Sequence, residues 1–197
     1  MKKSINSQIL NFKVLLILLI SITIVSCSNS QKGEDTKEIA EEHNDAKFED
    51  NDKEKDAQFL VNAAEINLEE ISLGQLAQKN GNTADLKELG KMMEAGHTKS
   101  LSELTLLAKE KLITIPTSST DDAQESHKKM DKKSLENFDK EYCDKMVKSH
   151  KDAISLFEKA STESTDSDIK AWATLTLQEL RTHLDHALTC QQKLEKM

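Results

Sequence analysis

Residues 143–157, CDKMVKSHKDAISLF, and residues 176–190, TLQELRTHLDHALTC, decide the fold when set side by side in opposite directions. In an antiparallel helix pair, residues at one height have numbers that add to a constant total, because one chain climbs as the other descends. His150 with His183, Cys143 with Cys190, Met146 with Ala187, Ala153 with Leu180 and Phe157 with Thr176 all share a total. One register therefore aligns both apolar stripes, with two histidines at one level and two cysteines about two turns away.

Each stripe extends outward at helical spacing. Leu135, Phe138 and Ala160 continue the first, and Ile169, Ala173 and Leu194 continue the second, with a break at Ser161–Ser167. Upstream, Phe59, Ala63, Ile66, Glu70, Leu73 and Ala77 form another stripe, which Asn80-Gly81-Asn82-Thr83 stops. Leu86, Gly90, Met93, His97, Leu101, Leu104 and Ala108 form a fourth, ending before Pro116. Here Glu70 stands at the height of His97, as Ala63 does of Leu104. Leu112–Lys133 is a long polar connection with a short helix predicted through Asp121–Met130. Two antiparallel hairpins joined by a long crossover predict an all-α, ferritin-like four-helix bundle. One proline, five glycines and few aromatic residues in 197 agree with helices rather than a turn-rich β fold.

The N-terminus carries a different message. Lys2, Lys3 and Lys13 precede an apolar run from Val14 to Val25, shorter than the about 20 residues a membrane span needs. The run closes on Ile24-Val25-Ser26-Cys27, which resembles the lipobox of bacterial lipoproteins. Residues 1–26 are expected to be a signal peptide. Cys27 is then the lipidated N-terminus, held at a membrane by several acyl chains. Ser28 after the cysteine matches an outer-membrane protein facing the periplasm, and the acidic residues that follow resemble surface-export signals. Residues 27–55, dense in Glu, Asp, Lys and Asn, are expected to be a flexible tether. The bundle domain is expected over 56–197.

With 27 Lys+Arg against 35 Asp+Glu and a net charge of −8, nothing draws the protein to nucleic acid or to anionic headgroups. Its membrane partner is reached through the lipid, and no protein partner is specified. There is no G-x-S-x-G nucleophile motif and no phosphate-cradling loop, so no reaction is named and enzyme activity is not the favoured reading.

A carboxylate on an apolar stripe is costly unless paired or metal-bound, so Glu70 needs a partner. Glu70, His97, His150 and His183, one inward polar residue on each long helix, suggest a convergent site. Glu94 and Glu179, each one turn from a histidine, are further candidate oxygen ligands. The set fits a transition metal such as Fe, Zn or Cu. The alternative is a buried polar network, with the histidines hydrogen-bonded to Glu70 and Tyr142, that sets the bundle register. Cys143 and Cys190 are either a disulfide, worth about 2–4 kcal/mol in a compartment that permits one, or two buried thiols. Met92, Met93 and Met146 are core filler, Trp172 packs on the neighbouring hairpin, and His43, His127 and His186 belong to the surface.

Phe59, Glu70-Ile71-x-Leu73-Gly74-x-Leu76-Ala77, Met93-x-x-x-His97, Phe138-Asp139-x-x-Tyr142, Met146-Val147-x-x-His150 and His183-Leu184 together resemble a family of ferritin-like bacterial envelope lipoproteins, domain of unknown function 4142. That resemblance implies a four-helix bundle with recurrent histidines and no established activity. Unlike di-iron ferritins, this sequence has His150 where a glutamate is usual, and the pair Glu179 and His183 is spaced by four. Iron oxidation and storage are not expected. The alternative to a metal or small-ligand site is a non-catalytic structural or interaction module of the envelope.

Overall fold

A computed structural model describes residues 35–196, an all-helical bundle of six helices with no strand among the described residues. They are α1 (Thr36–Asp45), α2 (Asn51–Asn80), α3 (Ala84–Lys111), α4 (Asp121–Asp131), α5 (Leu135–Glu163) and α6 (Ser167–Leu194). The signal and anchor reading, Cys27 included, falls outside the described residues. None of the described helices is long and apolar enough to cross a membrane.

Helix ends follow local chemistry. Asp50, Thr83, Thr120 and Asp166 each accept a hydrogen bond from the first turn of the helix they precede. The α2–α3 turn is also held from outside. Buried Asp139 on α5 accepts from the Asn82 and Thr83 amides at 2.8 and 3.1 Å, which satisfies its carboxylate. At the far end, Lys111 bridges Asp166 and Asp168 and ties α3 to the start of α6.

α2 packs on α3, and α5 on α6, as antiparallel hairpins. The first pair approaches to backbone contact: a Cβ on Gly74 would lie 2.7 Å from the Gly90 carbonyl oxygen, and one on Gly90 2.7 Å from that of Gly74. Glycine at both positions lets the two helices touch. α3 ends at Leu112, an exposed residue with φ 57° in the left-handed region where glycine is usual. Leu112→Gly removes the Cβ clash while keeping the carbonyl that Lys47 donates to. It is expected to raise stability by about 1 kcal/mol in urea unfolding.

Two corrections concern the sequence-derived boundaries. The segment expected to be a tether to residue 55 contains α1 and the first turn of α2. It is poor in apolar residues but its polar ones are specifically bonded. Asn44 clasps Thr114, donating to its carbonyl and accepting from its amide, both at 2.8 Å, and Lys37 pairs with Glu65 at 2.6 Å. Leu135, expected to face inward, is 65% exposed because it opens α5 beyond the packed end of the bundle.

Buried apolar residues form two clusters. One gathers Phe59, Leu60, Leu104, Phe157, Trp172 and Leu180, with Trp172 packed on Phe59 across the hairpins. The other gathers Leu73, Leu86, Met93, Phe138, Tyr142 and Met146. Between them, at mid-height, lies a layer that belongs to neither: Asn67, Glu70, His97, Ser100, His150 and His183, all buried. Cys143 and Cys190, joined as a disulfide with Cα atoms 6.1 Å apart, tie α5 to α6 beside the second cluster.

Candidate metal centre

The polar layer is costly. Six polar residues occupy positions that apolar ones would fill without desolvation penalty, so their bonding must be traced atom by atom.

α3 delivers His97, α5 delivers His150 and α6 delivers His183, and one ring nitrogen from each lies within 4.8 Å of the other two. His150 is the middle member. Its Nε2 is 3.4 Å from His97 Nε2 and 3.3 Å from His183 Nδ1. The outward nitrogens decide the tautomers. Asn67 donates its amide N–H to the Ala63 carbonyl at 2.9 Å, which turns its Oδ1 toward His97 Nδ1, also at 2.9 Å. His150 Nδ1 faces the Met146 carbonyl oxygen at 2.9 Å. Both partners only accept, so both Nδ1 atoms carry the hydrogen and both Nε2 atoms present lone pairs. Two lone pairs thus face each other at 3.4 Å with no hydrogen between them. His183 Nδ1–H can donate to one of them and leaves the other unmatched.

Burial opposes a proton on two of the three rings. Burial holds His97 well below its usual value, with the His150 and His183 charges adding to the effect. Burial also pushes His183 down to about 4, helped by His150 and His186. The unfolded chain therefore takes up protons at these two residues near pH 6.5, where the fold does not. Stability of the metal-free protein is then complete above pH 6.5 and is lost as pH falls toward 4. His183 alone accounts for about 3 kcal/mol. Glu70 works in the opposite sense. Burial raises its carboxyl against the influence of His150 and Ser149, so it returns part of that stability as pH falls from its raised value toward 4.5. The expected net result is a lower urea midpoint at pH 5 than at pH 7.5, and equal midpoints would contradict it.

The carboxylates predicted from sequence are placed differently. Glu70 is buried, but its Oε1 accepts the Ser149 hydroxyl and lies 4.0 Å from His150 Nδ1, the nitrogen turned away from the triad. It can balance positive charge in the layer without touching what the three inner nitrogens hold. Glu94 is not brought to the site: it points to the α2 side and accepts from Gln75 at 2.8 Å and Gln78 at 2.6 Å. Glu179 lies on the α3–α6 seam, half-buried and 3.8 Å from Lys99, outside the converging group.

Three contributors were not singled out in the sequence. Asn67 takes the inward place expected of Ile66, and Ser100 that of Leu101, so the polar layer is wider than the four residues expected. Gly96 lets the α3 backbone lie against His183, where a Cβ would come within 2.6 Å of the ring. A mid-helix glycine beside His97, disfavoured by about 1 kcal/mol relative to alanine, was the available signal for it.

Fold and site together define a class: helical bundles with a layer of three inward histidines between two apolar clusters. The chain belongs to the DUF4142 family, a domain of unknown function, which matches residues 40–189. No curated protein and no solved structure matches it.

Proposed function

We propose that this is a lipid-anchored protein of the bacterial cell envelope whose ferritin-like four-helix bundle holds one transition-metal ion on His97, His150 and His183. The observation that carries the metal reading is the pair of opposed lone pairs at 3.4 Å. A cation between them turns that repulsion into two bonds. Two of the three spacings suit the ion too: imidazole nitrogens about 2.0–2.1 Å from a tetrahedral metal are about 3.3–3.4 Å apart, against 3.4 and 3.3 Å from His150 to its two neighbours, with all three nitrogens within 4.8 Å of one another. Asn67 and the Met146 carbonyl orient the rings from behind, as partners of metal-binding histidines do.

The donor set is three neutral imidazoles without carboxylate or thiolate, which suits Zn or Cu and accepts Fe. It lacks the bridging carboxylates of a di-iron centre, so iron oxidation and storage find no support. A purely structural layer that sets the bundle register is the second reading. It accounts for Asn67 and for the Glu70 oxygen bonded to Ser149, but leaves the other Glu70 oxygen and the His97–His150 nitrogen pair unmatched.

The anchor reading rests on the lipobox-like residues 24–27 after a short apolar run. Two experiments test the proposal. Zinc is expected to raise the melting temperature and chelator to reverse the rise. No shift with Zn, Cu, Fe or Mn would remove the metal reading. Cys27→Ala is expected to release the protein from membranes, and retention would remove the anchor.

A further inference from the structure

We propose that Glu179 is the positioning residue of the third ligand: its Oε1 accepts the outward Nε2–H of His183 when that ring gives its Nδ1 lone pair to the ion. This rests on the metal reading above and adds a role for a carboxylate that lies outside the converging nitrogens. A metal-binding imidazole that donates its second N–H to a carboxylate, carbonyl or water is fixed in tautomer and orientation. His97 has Asn67 behind it, and His150 has the Met146 carbonyl. The outward nitrogen of His183 has no such partner yet: among the described residues, the hydrogen bonding of its ring reaches only His150, through Nδ1 at 3.3 Å.

Binding makes a demand on His183 that the other two rings do not face. Without an ion, its Nδ1–H can donate to His150. With an ion, the same nitrogen must hold a lone pair, so the hydrogen belongs on Nε2. One proton leaves Nδ1 for solvent and one from solvent joins Nε2, with no net change in charge. Nε2 then needs an acceptor on the α3–α6 seam. Helical side chains lean toward the N-terminus of their helix, so the His183 ring lies over the turn of α6 that carries Glu179. Gly96 on α3 shows how near the two come. The place its absent Cβ would take lies 2.7 Å from His183 Nε2 and 3.1 Å from Glu179 Oε1. Nitrogen and oxygen thus border one notch in the α3 backbone. The carboxylate is turned to suit: Oε2 faces Lys99 at 3.8 Å, which leaves Oε1 on the side of the histidine.

Zinc titration and nitrogen NMR of the imidazole rings test this on the full-length protein. The His183 hydrogen is expected on Nδ1 in the metal-free protein and on Nε2 in the zinc-loaded one. Glu179→Ala is expected to weaken zinc binding about tenfold, the low end for such partners because the side chain is one-third exposed. Glu179→Gln, whose amide oxygen still accepts a hydrogen bond, is expected to recover most of that loss. Zinc affinity unaltered in Glu179→Ala, or weakened as much in Glu179→Gln, would overturn the role of Glu179 and leave the metal reading intact. A hydrogen on Nδ1 of His183 in the zinc-loaded protein would overturn it as well. No zinc binding by the wild type would overturn the metal reading and this inference with it.

Discussion

Replacing His150 with alanine is expected to abolish the whole gain in thermal stability that a bound transition metal confers on the bundle. His150 is the only member whose inner nitrogen lies within 3.4 Å of both other histidines, so its loss separates the remaining pair as well as removing a ligand. An ion that binds only the folded state adds about 4 kcal/mol at a thousandfold excess over its dissociation constant. For a chain of this size that is about 10 °C in melting temperature. The truncation also leaves a cavity and lowers stability with or without metal. The informative quantity is therefore the metal-dependent increment, not the melting temperature itself. His186→Ala, on the exposed flank of α6, is expected to retain the increment. An undiminished increment in His150→Ala would place any metal elsewhere.

Breaking the Cys143–Cys190 bond is expected to have an effect of similar size by a different route. The bond closes a loop with a sequence separation of 47, and the chain-entropy model assigns such a closure about 4 kcal/mol. Most of that acts on the unfolded chain, whose ends the bond keeps together. Cys143→Ser with Cys190→Ser should melt about 10 °C lower than the oxidised protein. Reduced wild type should follow the double variant, with two thiols titratable after unfolding. A melting temperature unmoved by reductant would contradict the expectation.

Both predictions concern residues whose placement was legible from spacing. The shared totals of α5 and α6 put His150 opposite His183 and Cys143 opposite Cys190, because a buried helix pair repeats one register along its length. The α2–α3 stripes read less cleanly. Ile66 and Asn67 compete for the same inward place, and hydrophobicity favours Ile66. What places Asn67 inside is a tertiary bond to His97 that no local pattern encodes. Ser100 and Leu101 repeat the problem one helix later. α1 was missed for the same reason, since its docking rests on Asn44 and Lys37 bonding to distant residues rather than on an apolar face. Glu94 shows the converse error: one turn from His97 along the helix is also a rotation around it, and that rotation carries its carboxylate to the glutamines of α2.

The layer illustrates how a bundle can hold reactive chemistry at some cost to its own packing. Apolar residues at these positions would pack without desolvating six polar side chains, and the two flanking clusters would merge into one core. His97 and His150, held from behind by Asn67 and the Met146 carbonyl, are instead oriented before any ion arrives, and Gly96 leaves room for the His183 ring. Little ordering then remains to oppose binding.

Elemental analysis of the purified protein after exposure to Zn, Cu, Fe and Mn tests the central claim most directly. The account predicts one ion per chain, with the ion lost when His97 and His150 are both replaced by alanine. Trace metal only, in wild type and variant alike, would contradict it.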